Sequence, residues 1–189
     1  MNNKLLLIIY LFLITSITTQ AQTANSNNPA LNDRGYLVKT GEQAPNDFEF
    51  ALTDGTKTSL KQLRGKVVIL QFTASWCSVC REEMPHLQAQ VWNAYKNKGL
   101  VLIGVDRDEP LKKVQKFQKD MKITYNVALD PGANIFGRFA DKKSGVTRNV
   151  VIDRDGRIVY LTRLYDEQEF ASMLKVIDNL INNKNARVN

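Results

Sequence analysis

Cysteine is nearly absent from this sequence, with two in 189 residues, Cys77 and Cys80. Two cysteines cannot build the multi-bridge framework of a stapled exported domain, and a bridge across so short a loop removes little chain entropy. Histidine is scarcer still. His86 is the single one, so a zinc site on the two cysteines lacks the further ligands it needs. With no second cysteine pair to call on, redox exchange is the reading left for Cys77 and Cys80. No apolar run reaches the ~20 residues of a membrane-spanning helix. No aromatic residues interleave with Lys112, Lys113, Lys116, Lys119 and Lys122, which argues against a nucleic-acid strip. Those lysines read as the solvated face of one helix, despite a net charge of +7. Internal repeats and a second linker are also missing, so the chain reads as one domain.

The N-terminus carries an export pattern. Lys4 gives a positive start, Leu5 to Ile14 an almost unbroken apolar run, and Thr19-Gln20-Ala21 the small residues that signal peptidase requires. Cleavage is expected after Ala21; an uncleaved anchor is the alternative, against which the short apolar core argues. No cysteine lies near Ala21, so a lipid-modified N-terminus is not expected. The mature chain then has 189 − 21 = 168 residues and a charge of 7 − 1 = +6 without Lys4. That length suits one domain with a substantial core. The next stretch is rich in Asn, Ser, Thr and Ala without an apolar period, and reads as a flexible leader.

Further on, two short β-branched runs, Lys66 to Thr73 and Leu100 to Val105, read as buried strands. Leu87, Val91, Ala94 and Tyr95 fall on one helical face between them, giving a strand–helix–strand unit with parallel strands. A second helix follows, with Asp108 as cap, Pro110 in the first turn, and Leu111, Val114, Phe117 and Met121 as its inner stripe. Val127 to Leu129 reads as a strand and Ala133 to Ala140 as a helix. Asn149 to Asp153 and Arg157 to Arg163 flank Arg154-Asp155-Gly156 as an antiparallel hairpin. Asp153 and Asp155 lack the ligand series of a calcium loop and read as turn chemistry. Asp166 and Glu169 form a capping-box-like start to the last helix, whose inward residues are Phe170, Met173, Leu174, Ile177 and Ile181.

The run Phe72-Thr73-Ala74-Ser75-Trp76-Cys77-Ser78-Val79-Cys80-Arg81-Glu82-Glu83-Met84-Pro85 resembles the active site of the thioredoxin superfamily. More narrowly, it resembles the exported TlpA/ResA-like thiol–disulfide oxidoreductases. Gly41 to Pro45, Asp54-Gly55, Leu63 to Lys66 and Val151 to Gly156 extend the likeness over about residues 41 to 182. The resemblance implies an α/β thioredoxin-like fold: a central mixed β-sheet flanked by helices, with an extra strand-helix insertion and an N-terminal extension. The organisation it implies is a signal peptide at 1–21, a leader at 22–35 and a thioredoxin-like domain at 36–189. By resemblance Cys77 is the exposed attacker, Cys80 the buried resolver, and the two form the redox disulfide. A helix start at Cys77 would favour its thiolate, the only form that attacks a disulfide. Trp76 is read as a shield and contact surface for the thiol, with simple packing as its rival. Glu83 matches the acid of the family's C-x-x-E-x-P pattern and is read as a proton relay, with a solvated helix carboxylate as its rival. His86 is read as a surface residue without a partner.

Two departures from the family stand out. The buried acid of thioredoxins falls at Gln71, so Glu83 becomes the first candidate for a proton acceptor. The family's cis-proline falls at Thr147, where a cis bond would cost about 3 kcal/mol, so a trans or locally strained bond is expected. Thr147 is therefore a supporting site candidate whose hydroxyl faces the Cys77 sulfur. Ser78-Val79 has no histidine to stabilise the thiolate, which points to a reductant. Expected partners are client protein disulfides, apocytochrome c thiols among them by resemblance, and a membrane thiol electron donor. No cofactor, metal or nucleic acid is called for, and a periplasmic monomer is the expectation. The rivals are a peroxiredoxin-like thiol peroxidase and a non-catalytic binding module. The peroxidase pattern P-x-x-x-T/S-x-x-C fits neither register: it would require Leu70 and Ala74, or Thr73 and Cys77, to be the proline and hydroxyl residues.

Overall fold

The computed structural model describes residues 34–183; the expected signal peptide, its cleavage point and the expected leader through residue 33 lie outside them. Strand β3 (Val67–Thr73) is the spine of the domain, buried at every residue. Val68, Leu70 and Phe72 face one apolar cluster, while Val67 and Ile69 face a second on the other side of the sheet. A strand covered on both faces takes apolar residues on both, which is why Val67 to Leu70 does not alternate.

Around β3 the sheet has seven strands in the order β2-β1-β5-β4-β3-β6-β7. β1 is Phe50–Leu52, β2 Lys57–Thr58, β4 Leu100–Arg107, β5 Asn126–Asp130, β6 Arg148–Ile152 and β7 Ile158–Leu161. β3, β4 and β5 run parallel, and β6 returns antiparallel beside β3. Helix α1 (Ser78–His86) leaves the end of β3, α2 (Leu111–Asp120) precedes β5, α3 (Phe136–Phe139) is one short turn, and α4 (Glu167–Asn182) closes the chain. The sheet is mixed and flanked by helices, as the resemblance implies.

Several local expectations are corrected. Pro85 lies inside α1, where it lacks an N–H and crowds the preceding turn. The helix widens into a π-helical stretch, Leu87–Trp92, directly afterwards. That widening changes the register, leaving Ala94 exposed while Leu87 and Val91 stay buried. Asp108 does not cap α2: its φ is +60°, a turn conformation Asp tolerates, and extended Pro110 stands at the cap without a side-chain bond. Leu111 is exposed at the helix start instead of joining the stripe of Val114 and Phe117. The helix expected at Ala133 to Ala140 shrinks to a 3₁₀ turn, Pro131–Ala133, and α3. In α4, Leu180 is fully buried and Leu174 only partly so.

The β6–β7 hairpin turns as its chemistry predicts. Asp153 Oδ1 accepts the Arg157 N–H, and Gly156 takes φ +78°, where any other residue would be strained, with the Arg64 guanidinium packed against it. Asp166 caps α4 by accepting the Glu169 N–H at 2.8 Å. Glu169 does not return the bond; its carboxylate grips the guanidinium of Arg34, the first described residue.

Candidate active site

Cys77 ends the loop after β3 and stands at the N-cap of α1, with extended backbone. Its Sγ accepts the Cys80 N–H at 3.2 Å, satisfying one of the donors a helix start leaves open. Cys77 and Cys80 are joined as a disulfide with Cα atoms 5.3 Å apart. The two sulfurs are not equivalent: Cys77 retains 8% exposure and Cys80 none.

Thr147 comes from the loop before β6 and meets both sulfurs. Its Oγ1 lies 3.1 Å from Cys77 Sγ and 3.3 Å from Cys80 Sγ. No described peptide bond is cis, so the Val146–Thr147 bond is trans. The Thr147 carbonyl accepts the Leu164 N–H at 3.1 Å and Arg163 Nη1 at 3.2 Å. Trp76 projects outward at 63% exposure, and Leu164 is also exposed. Packing therefore does not explain Trp76.

Glu83 lies one turn beyond Cys80 and is buried, contrary to the solvated-carboxylate alternative. The pairing of β3 with β6 sets Gln71 opposite Asn149 beneath it. Asn149 Nδ2 donates to Glu83 Oε1 at 2.5 Å, and Gln71 Nε2 lies 3.4 Å from Glu83 Oε2. Gln71 is held in turn by the Tyr125 hydroxyl at 2.7 Å. Burial pushes the Glu83 carboxyl up to about 7, against the pull of Asn149 and Gln71. It thus titrates near neutrality, which suits a group that takes and returns a proton.

The sequence reading missed a second buried acid. Asp106, beside Thr73 on β4, is fully buried, and neither carboxylate oxygen has a partner. Burial, and then the charge of Glu109, push it up to about 8. Glu109 accepts the Ser75 N–H at 2.6 Å and the Ser75 hydroxyl at 2.7 Å, tying α2 to the cysteine loop. Burial pulls Glu109 upward, but Lys113 and the Ser75 donors hold it below the usual carboxylate range. The signal in the sequence was an acid ending an otherwise apolar strand. His86 is corrected as well: it stacks on Tyr165 with ring centroids 5.1 Å apart.

The sequence model of the AhpC/TSA family matches residues 40–161. The chain belongs to this family, within the thioredoxin superfamily. Among its relatives, the thiol-disulfide oxidoreductase ResA of Bacillus cereus is 36% identical over 124 residues, covering 65% of this chain and 68% of that protein. A solution structure from Bacteroides thetaiotaomicron, named as a candidate protein disulfide isomerase, is 54% identical with a TM-score of 0.76. It covers 78% of this chain and 93% of its own. A crystal structure of a thiol:disulfide interchange protein from Chlorobium tepidum is 26% identical with a TM-score of 0.61, covering 74% and 97%.

This family member is a thiol–disulfide oxidoreductase with protein disulfides as its substrate class. The cysteine pair, the helix start and the adjoining hydroxyl are the parts its fold brings together. Among the described residues, no group of three or more histidine, cysteine and acidic side chains is arranged to hold a metal ion.

Proposed function

We propose that the chain is an exported reductase of protein disulfides, with Cys77 as attacking thiolate and Cys80 as resolving thiol. The unequal exposure of the two sulfurs carries the order of attack, because only Cys77 opens to solvent. In the reduced protein, the Cys77 thiolate displaces one client sulfur as a thiolate and leaves a mixed disulfide. The Cys80 thiolate then attacks the Cys77 sulfur, releasing the second client thiolate and forming the Cys77–Cys80 disulfide. Client and protein thus exchange two electrons. Glu83 takes up the Cys80 proton, Thr147 supports the thiolate, and Trp76 offers the client an apolar contact.

Export rests on the Lys4 to Ala21 pattern, and the reductive direction on Ser78-Val79, which adds no charge to favour the thiolate. In an oxidising compartment the dithiol needs an outside source of electrons, a membrane thiol carrier being the proposed donor. Cys80→Ser should accumulate mixed disulfides with clients through Cys77, detected on non-reducing gels, and Cys77→Ser should trap few. Adducts found mainly in the Cys77→Ser protein would reverse the roles.

A further inference from the structure

We infer that this dithiol face selects clients carrying acidic residues beside the reacting cysteine, and that Arg163 is the side chain that reads them. The inference rests on the protein-disulfide reading above and names the chemistry of the client.

Arg163 follows β7 and lies against the loop that carries Thr147. Its Nη1 donates to the Thr147 carbonyl, while the Thr147 hydroxyl touches both sulfurs. A Cβ built on Gly145, two residues earlier, would meet Arg163 Nη2 at 2.4 Å. The guanidinium therefore lies against the Gly145–Thr147 loop whose hydroxyl meets the disulfide, and Arg163 is partly open to solvent. Among the described residues, no carboxylate forms an ion pair with it. Glu169, the acid nearest in the fold, is bound by the Arg34 guanidinium and meets Arg163 only at its backbone N–H.

The same loop is fastened by other cations. Arg107 donates to the carbonyls of Lys142 and Ser144, and Arg148 to that of Gly145. Arg107 pairs with Asp108 and Arg148 is buried, whereas the carbonyl acceptor of Arg163 holds its guanidinium in place without cancelling its charge. Lys142 and Lys143 are exposed on this loop together with Asp141; Asp108 pairs with Arg107, and Glu82, Asp166 and Glu167 are exposed on the neighbouring helices without pairing with Arg163. Trp76 and Leu164 supply exposed apolar contacts from the loops on either side of Cys77 and Thr147. A partly unfolded segment with apolar residues and an acid next to its cysteine matches these features.

The test uses two disulfide-linked peptide probes, identical except for Asp or Lys beside the cysteine, reduced by the reduced protein under single-turnover conditions. At low ionic strength the Asp probe should react about tenfold faster, since unit charges several Å apart interact strongly only when weakly screened. High salt should shrink that ratio to about twofold. Arg163→Gln should lower the ratio about threefold or more, and Arg163→Lys, which keeps the charge but not the planar donor pair, should preserve most of it. Lys175→Gln removes the same net charge from α4, in the surface depression it shares with Tyr95, and should leave the ratio unchanged. Equal rates for both probes in the unmodified protein at low salt would overturn the inference without touching the exchange activity. A purely structural Arg163 would slow both probes equally, which also overturns it. Failure to reduce either probe would sink the exchange reading itself.

Discussion

Replacing Thr147 by valine keeps the branched shape beside the sulfurs and removes only the hydroxyl. That hydroxyl lies 3.1 Å from Cys77 Sγ, so in the reduced protein it is placed to donate to the thiolate. A hydrogen bond to a charged group contributes about 1.5–3 kcal/mol, which corresponds to roughly one to two pKa units. Loss of a bond to the charged form raises the pKa. The thiolate fraction near neutral pH should then fall about 10- to 100-fold, while the more basic thiolate regains about half of that on a logarithmic scale. Alkylation of Cys77 should slow by about threefold to tenfold near neutrality and, once both proteins are fully ionised at high pH, outpace the unmodified protein by a similar factor. The assay is the iodoacetamide rate across a pH titration, in a Cys80→Ser background so that one thiol reports. Superimposable rate profiles from a folded Thr147→Val protein would show that the hydroxyl does not support the thiolate.

Other perturbations probe the buried acids and the exposed ring. Glu83 rises from 4.5 to about 7 on folding. The folded chain therefore holds that proton more tightly, and the resulting stabilisation, full below pH 4.5, is lost as pH rises through 7. Glu83→Gln should abolish this slope and gain up to about 3 kcal/mol over the unmodified protein above about pH 8 by denaturant unfolding; parallel stability curves would contradict the burial argument. Asp106→Asn should likewise stabilise at alkaline pH, because Asp106 titrates at about 8 with no partner for its charge. A variant less stable than the parent throughout the alkaline range would show that the carboxylate has a use. Trp76→Ala should slow reduction of protein disulfides about tenfold while sparing a small-molecule disulfide. Equal losses on both would place Trp76 in the chemistry instead of the contact.

The strands were legible where burial leaves the sequence no choice. Val67 to Leu70 is apolar at every step because clusters press on both sides of it, and the cysteine motif stood out because its strand and helix were visible around it. The short strands β1 and β2 carry too few residues to show a period. The surroundings of Glu83 were hidden for a different reason. Whether a helix carboxylate is solvated or buried depends on what lies across the sheet, and Gln71 faces Asn149 only once β3 and β6 are paired. The clues were two amides in apolar strands, each meaningful only beside the other. Asp106 was obscured in the same way, since its burial depends on the inserted helix α2 and on Glu109 reaching back to Ser75. Pro85 was visible, but the π-helical widening that hides and exposes later residues was not.

The account rests most on a Cys77–Cys80 couple that donates electrons to clients. Equilibrating the purified protein with glutathione buffers, and quantifying the dithiol fraction by thiol trapping, measures that tendency directly. Nothing in Ser78-Val79 adds positive charge to stabilise the reduced form, so the potential should lie well below the roughly −120 mV of strongly oxidising dithiol proteins. A value at or above that level would contradict the reductase assignment.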